Sequence, residues 1–303
     1  MRRLLGFAVF QLTVECHSYL IGYAKIQILR HAAIGYLHPG RKVSDNSHES
    51  LGRRSSQRML VKRAVQRFMG SMGYRIVPAE RDAYNLRKWL LGRTIGTVVD
   101  IGASTGETAK EWLAAYPDAT VHAIEPLPDS FAQLKALQPR YGGRLVAHNF
   151  AVGAEQRTID FHFHPAHPTS SSLLRRTDFS SHVLPFTRAE MTIGIEMTTL
   201  DFLFADAAAI MKQDVLLKLD VQGAECGVIE GATRFLQSVK FVLTEISLAP
   251  VYEGQSDFDT LHEMLRCSGM KLLGFVEQFQ VPDSPPIYAD LLYINNGTAD
   301  TKP

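Results

Sequence analysis

Short apolar runs alternate with stretches of helical periodicity along the chain from Gly96 onward. A buried strand is a run of β-branched and other apolar residues, whereas an amphipathic helix places apolar residues three to four positions apart. Regular alternation of the two predicts an α/β fold with a doubly wound, mostly parallel sheet. Seven strands are predicted, at 97–101, 120–124, 145–149, 215–219, 241–245, 271–276 and 288–294. Helices are predicted at 107–115, 128–137, 224–236 and 257–268.

The part of the chain before this pattern has a different character. Residues 1–67 hold twelve basic and three acidic side chains, so the remainder carries a net charge of about −8. We interpret 1–57 as a basic extension with a Ser-rich linker, 58–95 as a helical segment, 96–296 as the folded domain and 297–303 as a tail. The amphipathic stretch 58–69 could lie on an anionic membrane, but packing on the domain is the commoner outcome for such a helix.

The start of the chain and its cysteines bear on the compartment. Residues 4–14 are apolar and follow two arginines, as in a signal peptide, but they are too few to span a bilayer and no small-residue cleavage site follows. We expect a surface helix or a poorly ordered extension there. The cysteines at 16, 226 and 267 show no Cys-x-x-Cys spacing, which favours reduced thiols over a disulfide or zinc framework. A cytoplasmic location is therefore predicted.

The end of the first predicted strand carries the strongest candidate chemistry. The β-branched run ends in Asp100 and Ile101, and Gly102 and Gly106 then lead into a helix. Such a turn brings backbone N–H groups close to a ligand at the carboxyl edge of a sheet. Ser104 stands where the second glycine of a dinucleotide fingerprint would be, which disfavours a nicotinamide cofactor. Glu125 and Pro126 end the next strand, where an acid can accept both hydroxyls of a ribose.

These segments, Asp-Ile-Gly-Ala-x-x-Gly and Ala-Ile-Glu-Pro, resemble the S-adenosyl-L-methionine site of class I methyltransferases. Their residues are most similar to those of the FkbM family. The resemblance implies a Rossmann-like sheet with an antiparallel seventh strand, preceded by an N-terminal helical extension. It implies that Asp100 holds the methionine amino end of the cofactor through the loop or a water, that Glu125 holds the ribose, and that the segment from Asn149 lies beside the adenine. The implied cofactor-binding residues are Asp100, Gly102, Ala103, Ser104, Gly106, Glu125, Pro126, Asn149 and Ala151.

A second motif lies at the fourth predicted strand, Lys218-Leu-Asp-Val-Gln-Gly-Ala-Glu225. It is similar to the family segment Lys-x-Asp-x-Glu-Gly-x-Glu at every charged position except Gln222. Asp220 at a strand tip points into the crevice where ligands of open α/β sheets bind. We therefore expect Asp220, Lys218 and Glu225 to be catalytic. The alternatives are a structural Lys218–Asp220 ion pair and a helix-dipole role for Glu225.

The insertion at about 157–199 is expected near the substrate mouth, as the family resemblance implies. His162, His164 and His167 form a sequence cluster, but alternation on a strand puts the first two on one half-exposed face, so zinc binding is disfavoured. One of them, or His182, is an alternative general base. Asp220 and Glu245 could together bind a divalent ion, yet the further residues of metal-assisted O-methyltransferases are missing, and we predict no metal.

The resemblance implies methyl transfer to a hydroxyl oxygen of a sugar or natural-product-like small molecule. Two alternatives remain at this point. A catalytically silent binding module would not need Asp100, Glu125, Asp220 and Glu225 together. Nucleic-acid methylation is suggested only by the basic first 67 residues, and the chain has neither the tetrapeptide of base-amino methylases nor interleaved basic and aromatic residues. A small-molecule acceptor, and no nucleic acid, is the predicted partner.

Overall fold

The computed structural model describes residues 14–16, 74–76, 86–184, 187, 189–206, 213–281, 285–295 and 297. The chain divides into two compact units, residues 1–85 and 86–303. In the first unit, β1 (Val14–Cys16) pairs antiparallel with β2 (Tyr74–Ile76), and neither strand is a predicted element. The predicted linker, the helical stretch at 58–69 and the last six residues lie outside the described residues.

The second unit alternates helices and strands as predicted. Its elements are α1 (Leu86–Leu91), β3 (Ile95–Ile101), α2 (Glu107–Ala115), β4 (Thr120–Ile124), α3 (Pro128–Leu137), β5 (Leu145–His148), β6 (Ala151–Val152), β7 (Arg157–Phe163), α4 (Asp178–Val183), β8 (Met191–Thr198), α5 (Leu200–Leu203), β9 (Asp214–Leu219), α6 (Glu225–Glu230), β10 (Phe241–Ser247), α7 (Phe258–Cys267), β11 (Met270–Phe279) and β12 (Tyr288–Asn295). Short 3₁₀ helices cover Gln138–Tyr141, Pro168–Ser170 and Phe235–Ser238.

Seven strands form the central sheet in the order β11-β12-β10-β9-β3-β4-β5. The four pairings from β10 to β5 are parallel, whereas β12 runs antiparallel to both β10 and β11. The predicted α/β class, the strand number and the antiparallel last strand are therefore confirmed. The strand order reverses on either side of β3, and a crevice forms at such a switch point beyond the carboxyl ends of the strands.

The core lies on both faces of this sheet. Every residue of β3 is buried, and its successive residues Val98 and Val99 enter hydrophobic clusters on opposite faces, as the period of two requires. Trp112 of α2 fills one cluster and Ile229 of α6 the other. Because both faces are covered, the central strands are mostly apolar, and the buried charges Asp100 and Lys218 lie near their carboxyl ends.

One predicted helix is wrong in its extent. The segment 224–236 forms α6, a turn and a 3₁₀ helix, not one continuous helix. The break occurs at Gly231, where a Cβ atom would lie 2.1 Å from the carbonyl oxygen of Gly153. The backbone at 231 thus packs directly on the loop that follows β6, and this close approach leaves no room for a side chain.

The insertion folds as a small second sheet. Strand β7 pairs antiparallel with β8, and β8 pairs parallel with β6. Its apolar face, with Phe161, Ile195 and Met197, packs on Leu127 and Ala151, which lie beside the tips of β4 and β5. The insertion is thereby attached next to the crevice.

Helices in the described ranges are short. The longest, α3 and α7, have ten residues each, or about 15 Å, which is half of a bilayer's hydrocarbon thickness. None of the helices that the structure describes combines the length and the apolar character needed to cross a membrane.

The close approach at Gly231 predicts an asymmetry between two glycines four residues apart. Gly231→Ala should lower the free energy of unfolding by about 1–3 kcal/mol, because the new methyl group would meet the Gly153 backbone. Gly227→Ala, within α6 and with no neighbouring atom nearer than 4.0 Å, should raise it by about 0.5–1 kcal/mol. Urea unfolding of both variants measures the two changes, and equal values would contradict this account of the helix break.

Candidate active site

A cavity of about 260 Å³ opens at the carboxyl ends of β3, β4 and β9. Its floor is the loop that follows β3, and its walls come from the tips of β4 and β9 and from the insertion. Eight of the predicted site residues line it, namely Gly102, Ala103, Ser104, Glu125, Pro126, Ala151, Lys218 and Asp220, and Gln222 of the second motif lines it too. The structure thus brings together the two motifs that the sequence separates by more than a hundred residues.

The loop after β3 passes in contact with the tip of β9. Gly102 has a φ of +79°, and a Cβ atom there would lie 2.0 Å from the carbonyl oxygen of Asp220. Ser104 also adopts a left-handed conformation, with a φ of +48°, and its N–H donates to Glu125 Oε2 at 2.8 Å. A backbone N–H to a carboxylate is a strong hydrogen bond, which offsets the cost of the positive φ. Gly106 ends the loop and precedes α2 without lining the cavity.

Glu125 lies buried at the cavity wall, with 5% of its surface exposed. Its Oε2 accepts the Ser104 N–H, and its Oε1 accepts the Leu127 N–H at 3.0 Å. Burial raises the pKa of Glu125 to about 7, and the two backbone N–H groups only partly oppose that rise. Each oxygen keeps a further lone pair, so the carboxylate can accept two more hydrogen bonds from a ligand.

Asn149 lies behind this wall. Its Nδ2 donates to the carbonyl oxygens of Glu125 and Pro126, at 2.8 and 3.0 Å, and so fixes the turn that ends β4. Asn149 does not line the cavity, whereas Phe150 and Ala151, the next two residues, do. Val152 lines it as well, so the predicted adenine segment reaches the cavity through its second, third and fourth residues.

Lys218 joins the tips of β3 and β9 through buried charges. Its Nζ lies 3.2 Å from Asp100 Oδ1 and 3.3 Å from Asp220 Oδ2, and it donates to the Gly102 carbonyl oxygen at 3.3 Å. Burial lowers the pKa of Lys218, but Asp100 and Asp220 outweigh it, so the net pKa lies above its ordinary value. Lys218 is therefore an ammonium ion, and it cannot act as a base.

Asp100 is fully buried behind Lys218 and does not line the cavity. Burial raises the pKa of Asp100, and the Lys218 ammonium partly opposes this rise. The structure thus places Asp100 as the partner of Lys218, where the family resemblance implied a cofactor contact. A cofactor contact of Asp100 stays a prediction, and any such contact must pass through Lys218 or the Gly102 loop.

Asp220 is the most accessible carboxylate of the group, with 35% of its side chain exposed. Its Oδ1 accepts a hydrogen bond from Gln222 Nε2 at 2.6 Å, and its Oδ2 faces Lys218. The side chain lines the cavity with both oxygens held. A carboxylate in this position can orient a hydroxyl group and accept its proton.

Glu225 lies outside the cavity wall, with 1% of its surface exposed. Its Oε1 accepts the Gly223 N–H at 3.1 Å, and its Oε2 has no hydrogen-bond partner among the described residues. Burial raises the pKa of Glu225 to about 7. The hydrogen bond from Gly223 places Glu225 under the turn between β9 and α6. A catalytic role of Glu225 stays a prediction, and it would have to be indirect because Glu225 does not line the cavity.

Comparison with known proteins identifies this arrangement. A model of the methyltransferase FkbM domain matches residues 100–276, which is more than half of the chain. The chain belongs to this family. It is an S-adenosyl-L-methionine-dependent methyltransferase.

Three curated relatives match at low identity. The 2-O-methyltransferase NoeI of Sinorhizobium fredii is 28% identical over 184 residues, which is 58% of this chain and 73% of the relative. Methyltransferase 1 of Beauveria bassiana is 24% identical and covers 62% of this chain and 76% of the relative. The hexuronic acid methyltransferase AglP of Haloferax volcanii is 28% identical and covers 48% of this chain and 54% of the relative.

The cavity of this FkbM-family methyltransferase fits the cofactor. Both carboxylate oxygens of Glu125 can accept hydrogen bonds from a ligand such as a ribose, and a side chain at position 102 would collide with the Asp220 carbonyl oxygen. Phe150, at the rim and 36% exposed, presents an aromatic ring on which a purine can stack. When bound, S-adenosyl-L-methionine supplies an electrophilic methyl group on a positively charged sulfur.

Several cavity residues were missed by sequence reasoning. Phe150, Phe161 and Leu173 supply apolar walls, and Gln222 lies beside Asp220. The family resemblance places the insertion near the substrate mouth, but its residues carry no motif, so the packing of β7 on the domain is needed to show which of them reach the cavity. Phe150 had a signal, because it belongs to the segment from Asn149 that the resemblance places beside the adenine, and Gln222 had one as a departure from the family pattern.

The histidines of the insertion do not form a site together. His162 Nδ1 lies 2.9 Å from Glu190 Oε1, His164 Nδ1 is 3.1 Å from the Ala189 carbonyl oxygen, and His167 Nδ1 is 2.8 Å from Ser170 Oγ. The expected half-exposed face is wrong, since His162 and His164 are 8% and 1% exposed. The turn at 170–172 covers them by pairing Ser172 with His162.

None of these histidines lines the cavity, and His182 lies exposed on α4. Burial lowers the pKa of His164 and His167, so both are neutral near pH 7. Within the described ranges, no cluster of three His, Cys, Asp or Glu residues is arranged to hold a metal ion.

The raised pKa of Glu125 predicts that cofactor binding depends on pH. Only the ionised carboxylate accepts both ribose hydroxyls, so affinity for S-adenosylhomocysteine should rise with pH through about 7 and fall by up to roughly tenfold per unit below it. Calorimetry from pH 5.5 to 8.5 measures this dependence. Glu125→Gln, which cannot ionise, should bind more weakly at pH 8 and show a flat profile. A flat profile in the unmodified protein would contradict the ribose contact.

Removal of the buried ammonium predicts a large loss of stability. Lys218→Met should lower the free energy of unfolding by about 3–5 kcal/mol, because Asp100 then lies buried without its counter-charge. Adding Asp100→Asn should recover most of this loss, since a neutral amide needs no such partner. As a control, Lys110→Met removes an ion pair with Glu107 on the surface and should change stability by less than about 1 kcal/mol. Urea unfolding measures all three.

Proposed function

We propose that this methyltransferase acts on a hydroxyl oxygen of a sugar-like small molecule, with Asp220 as the proton acceptor. The observation that carries the proposal is the position of Asp220 on the cavity wall, partly exposed, with each oxygen anchored by one neighbour. Two relatives support the acceptor class, because their names specify a 2-O position and a hexuronic acid.

Asp220 supplies a base of modest strength. An alcohol is too weak an acid to lose its proton to a carboxylate outright, so Asp220 must orient the hydroxyl and take its proton while the new carbon–oxygen bond forms. The Lys218 ammonium lies 3.3 Å from Oδ2 and holds that oxygen in place. Apolar side chains of the insertion, such as Phe161 and Leu173, exclude water from the same cavity. In this proposal the protein positions the acceptor hydroxyl and keeps water away from the reacting atoms.

In this proposal the acceptor binds beside the part of the cavity wall that the insertion supplies. Ser171 and Thr169 add hydroxyl groups to the cavity wall that faces Asp220 and the Gly102 loop. Such small polar groups beside apolar ones suit a polyhydroxylated ligand. A nucleic-acid acceptor is the less favoured alternative, since only the basic residues before residue 68 suggest it. Those residues lie outside the described ranges.

A cytoplasmic location belongs to the same proposal. Cys226 and Cys267 are both free thiols, and Cys226 is half-buried beside α6. Reduced cysteines are usual in the cytoplasm.

The proposal predicts that Asp220→Asn lowers turnover by about 10²–10⁴-fold. The substitution is nearly isosteric, so affinity for S-adenosylhomocysteine should stay within about 1 kcal/mol of the unmodified protein. The assay follows transfer of a labelled methyl group to hexuronic acid glycosides, neutral glycosides and RNA. Alkali treatment of the product separates a stable methyl ether from a labile methyl ester.

The controls are His162→Ala, His164→Ala and His182→Ala, which should each keep turnover within a few fold. Near-normal turnover of Asp220→Asn with loss in a histidine variant would place the base in the insertion and overturn the assignment. Labelling of RNA alone would overturn the acceptor class. Binding of S-adenosylhomocysteine without turnover on any acceptor would favour the silent binding module.

A further inference from the structure

Gln222 occupies the centre of a hydrogen-bonded chain next to Asp220. Its Nε2 donates to Asp220 Oδ1 at 2.6 Å and to Glu245 Oε1 at 3.1 Å. Its Oε1 accepts from the Tyr252 hydroxyl at 2.6 Å, and Arg176 Nη2 donates to that hydroxyl at 3.0 Å. One amide therefore binds two carboxyl groups on one side and a tyrosine on the other.

The chemistry of the partners fixes the direction of this chain. A guanidinium only donates, so the Tyr252 oxygen accepts from Arg176 and must direct its own hydrogen elsewhere. Gln222 Oε1 is nearer to it than the Ser170 carbonyl oxygen, at 2.6 against 3.2 Å. The amide oxygen therefore faces Tyr252, and both amide hydrogens face the carboxyl groups. Every donor from Arg176 onward points toward Asp220 and Glu245.

The backbone at Gln222 shows that the position is constrained. Its φ of +58° lies in the left-handed region, which a residue with a long side chain adopts only under strain. Ser172 Oγ donates to the Gln222 carbonyl oxygen at 2.7 Å and holds this conformation from the insertion. Arg176 also comes from the insertion, and its guanidinium stacks 4.9 Å above the Tyr252 ring.

We propose that Gln222 is a positioning residue for Asp220, oriented by Tyr252 and Arg176. The amide holds Oδ1 of Asp220, which leaves Oδ2, beside Lys218, as the oxygen that meets the acceptor hydroxyl. The same amide keeps Glu245 at a fixed distance from Asp220, so that the two carboxyl groups do not compete for Lys218. This inference rests on the proposed role of Asp220 as the proton acceptor.

The charged surroundings of Asp220 agree with this arrangement. Burial raises the pKa of Glu245 well above its ordinary value, with Asp220 as a further cause. The Gln222 amide donates to both carboxyl groups and so lies between them. The titratable groups that face Asp220 are Asp100 from β3, Lys218 from β9, Glu225 from α6, Glu245 from β10, Tyr252 and Arg176 from the adjoining loops, and Asp290 from β12.

The first test removes the donors without altering any carboxyl group. Gln222→Met should lower kcat by about 30–100-fold, and Tyr252→Phe by about 5–10-fold, while affinity for S-adenosylhomocysteine changes less than about threefold. Tyr116→Phe is the matched control, because Tyr116 is a buried tyrosine that donates to the Leu90 carbonyl oxygen and neither residue lines the cavity. It should keep normal kcat. Normal kcat in both Gln222→Met and Tyr252→Phe would overturn the inference.

A double variant separates positioning from a merely structural role. If Gln222 acts through Asp220, Gln222→Met should have little further effect in an Asp220→Asn background. Gln222→Glu should move the acidic limb of the kcat–pH profile to higher pH, because a carboxylate beside Asp220 raises its pKa. The inference would be overturned if the fold-losses of kcat in the two single variants multiplied in the double variant, or if the kcat–pH profile of Gln222→Glu did not shift. An active Asp220→Asn would instead overturn the proposed function itself.

Discussion

The buried Lys218 ammonium is the interaction on which the rest of the site depends. A charge with so little exposure is stable only because two carboxylates and a backbone carbonyl surround it. Asp100 is buried behind it, on the neighbouring strand, and Asp220 is partly exposed in front of it. One cation therefore joins β3 to β9 at the carboxyl end of the sheet and sets the position of the carboxylate that faces the cavity.

The cavity is bounded by two turns of unusual backbone geometry. Ser104 and Gln222 both have a positive φ, and each hydrogen-bonds a carboxyl group of the site, the first through its N–H and the second through its side chain. Non-glycine residues adopt this conformation when their surroundings hold them there. Two of the three described non-glycine residues with a positive φ thus lie in the loops that line the cavity, and the third, Gln213, precedes β9.

Sequence patterns predicted the sheet well, because a fully buried parallel strand has few alternatives. All seven strands were found, and only their ends differ from the observed bounds. Sequence patterns could not show how deeply a side chain is buried. Asp100 and Glu125 are both acids at strand tips, but Asp100 lies behind Lys218 whereas Glu125 lies on the cavity wall. Nor could they show that the backbone at Gly231 contacts Gly153 and interrupts a helix, since that contact is long-range. Glu225 was placed correctly in the first turn of α6, yet its depth could not be predicted.

The hydrogen bond from Ser172 to the Gln222 carbonyl has a consequence for how such enzymes diversify. The segment that meets the acceptor and the turn that carries the candidate base share this bond, and Arg176 and Tyr252 add two more links. Acceptor choice and reactivity are therefore not independent modules. Exchange of the insertion for one from a relative with another acceptor would also remove the supports of Gln222, so a grafted chimera inherits a new preference only if residues 170–176 are matched to Tyr252.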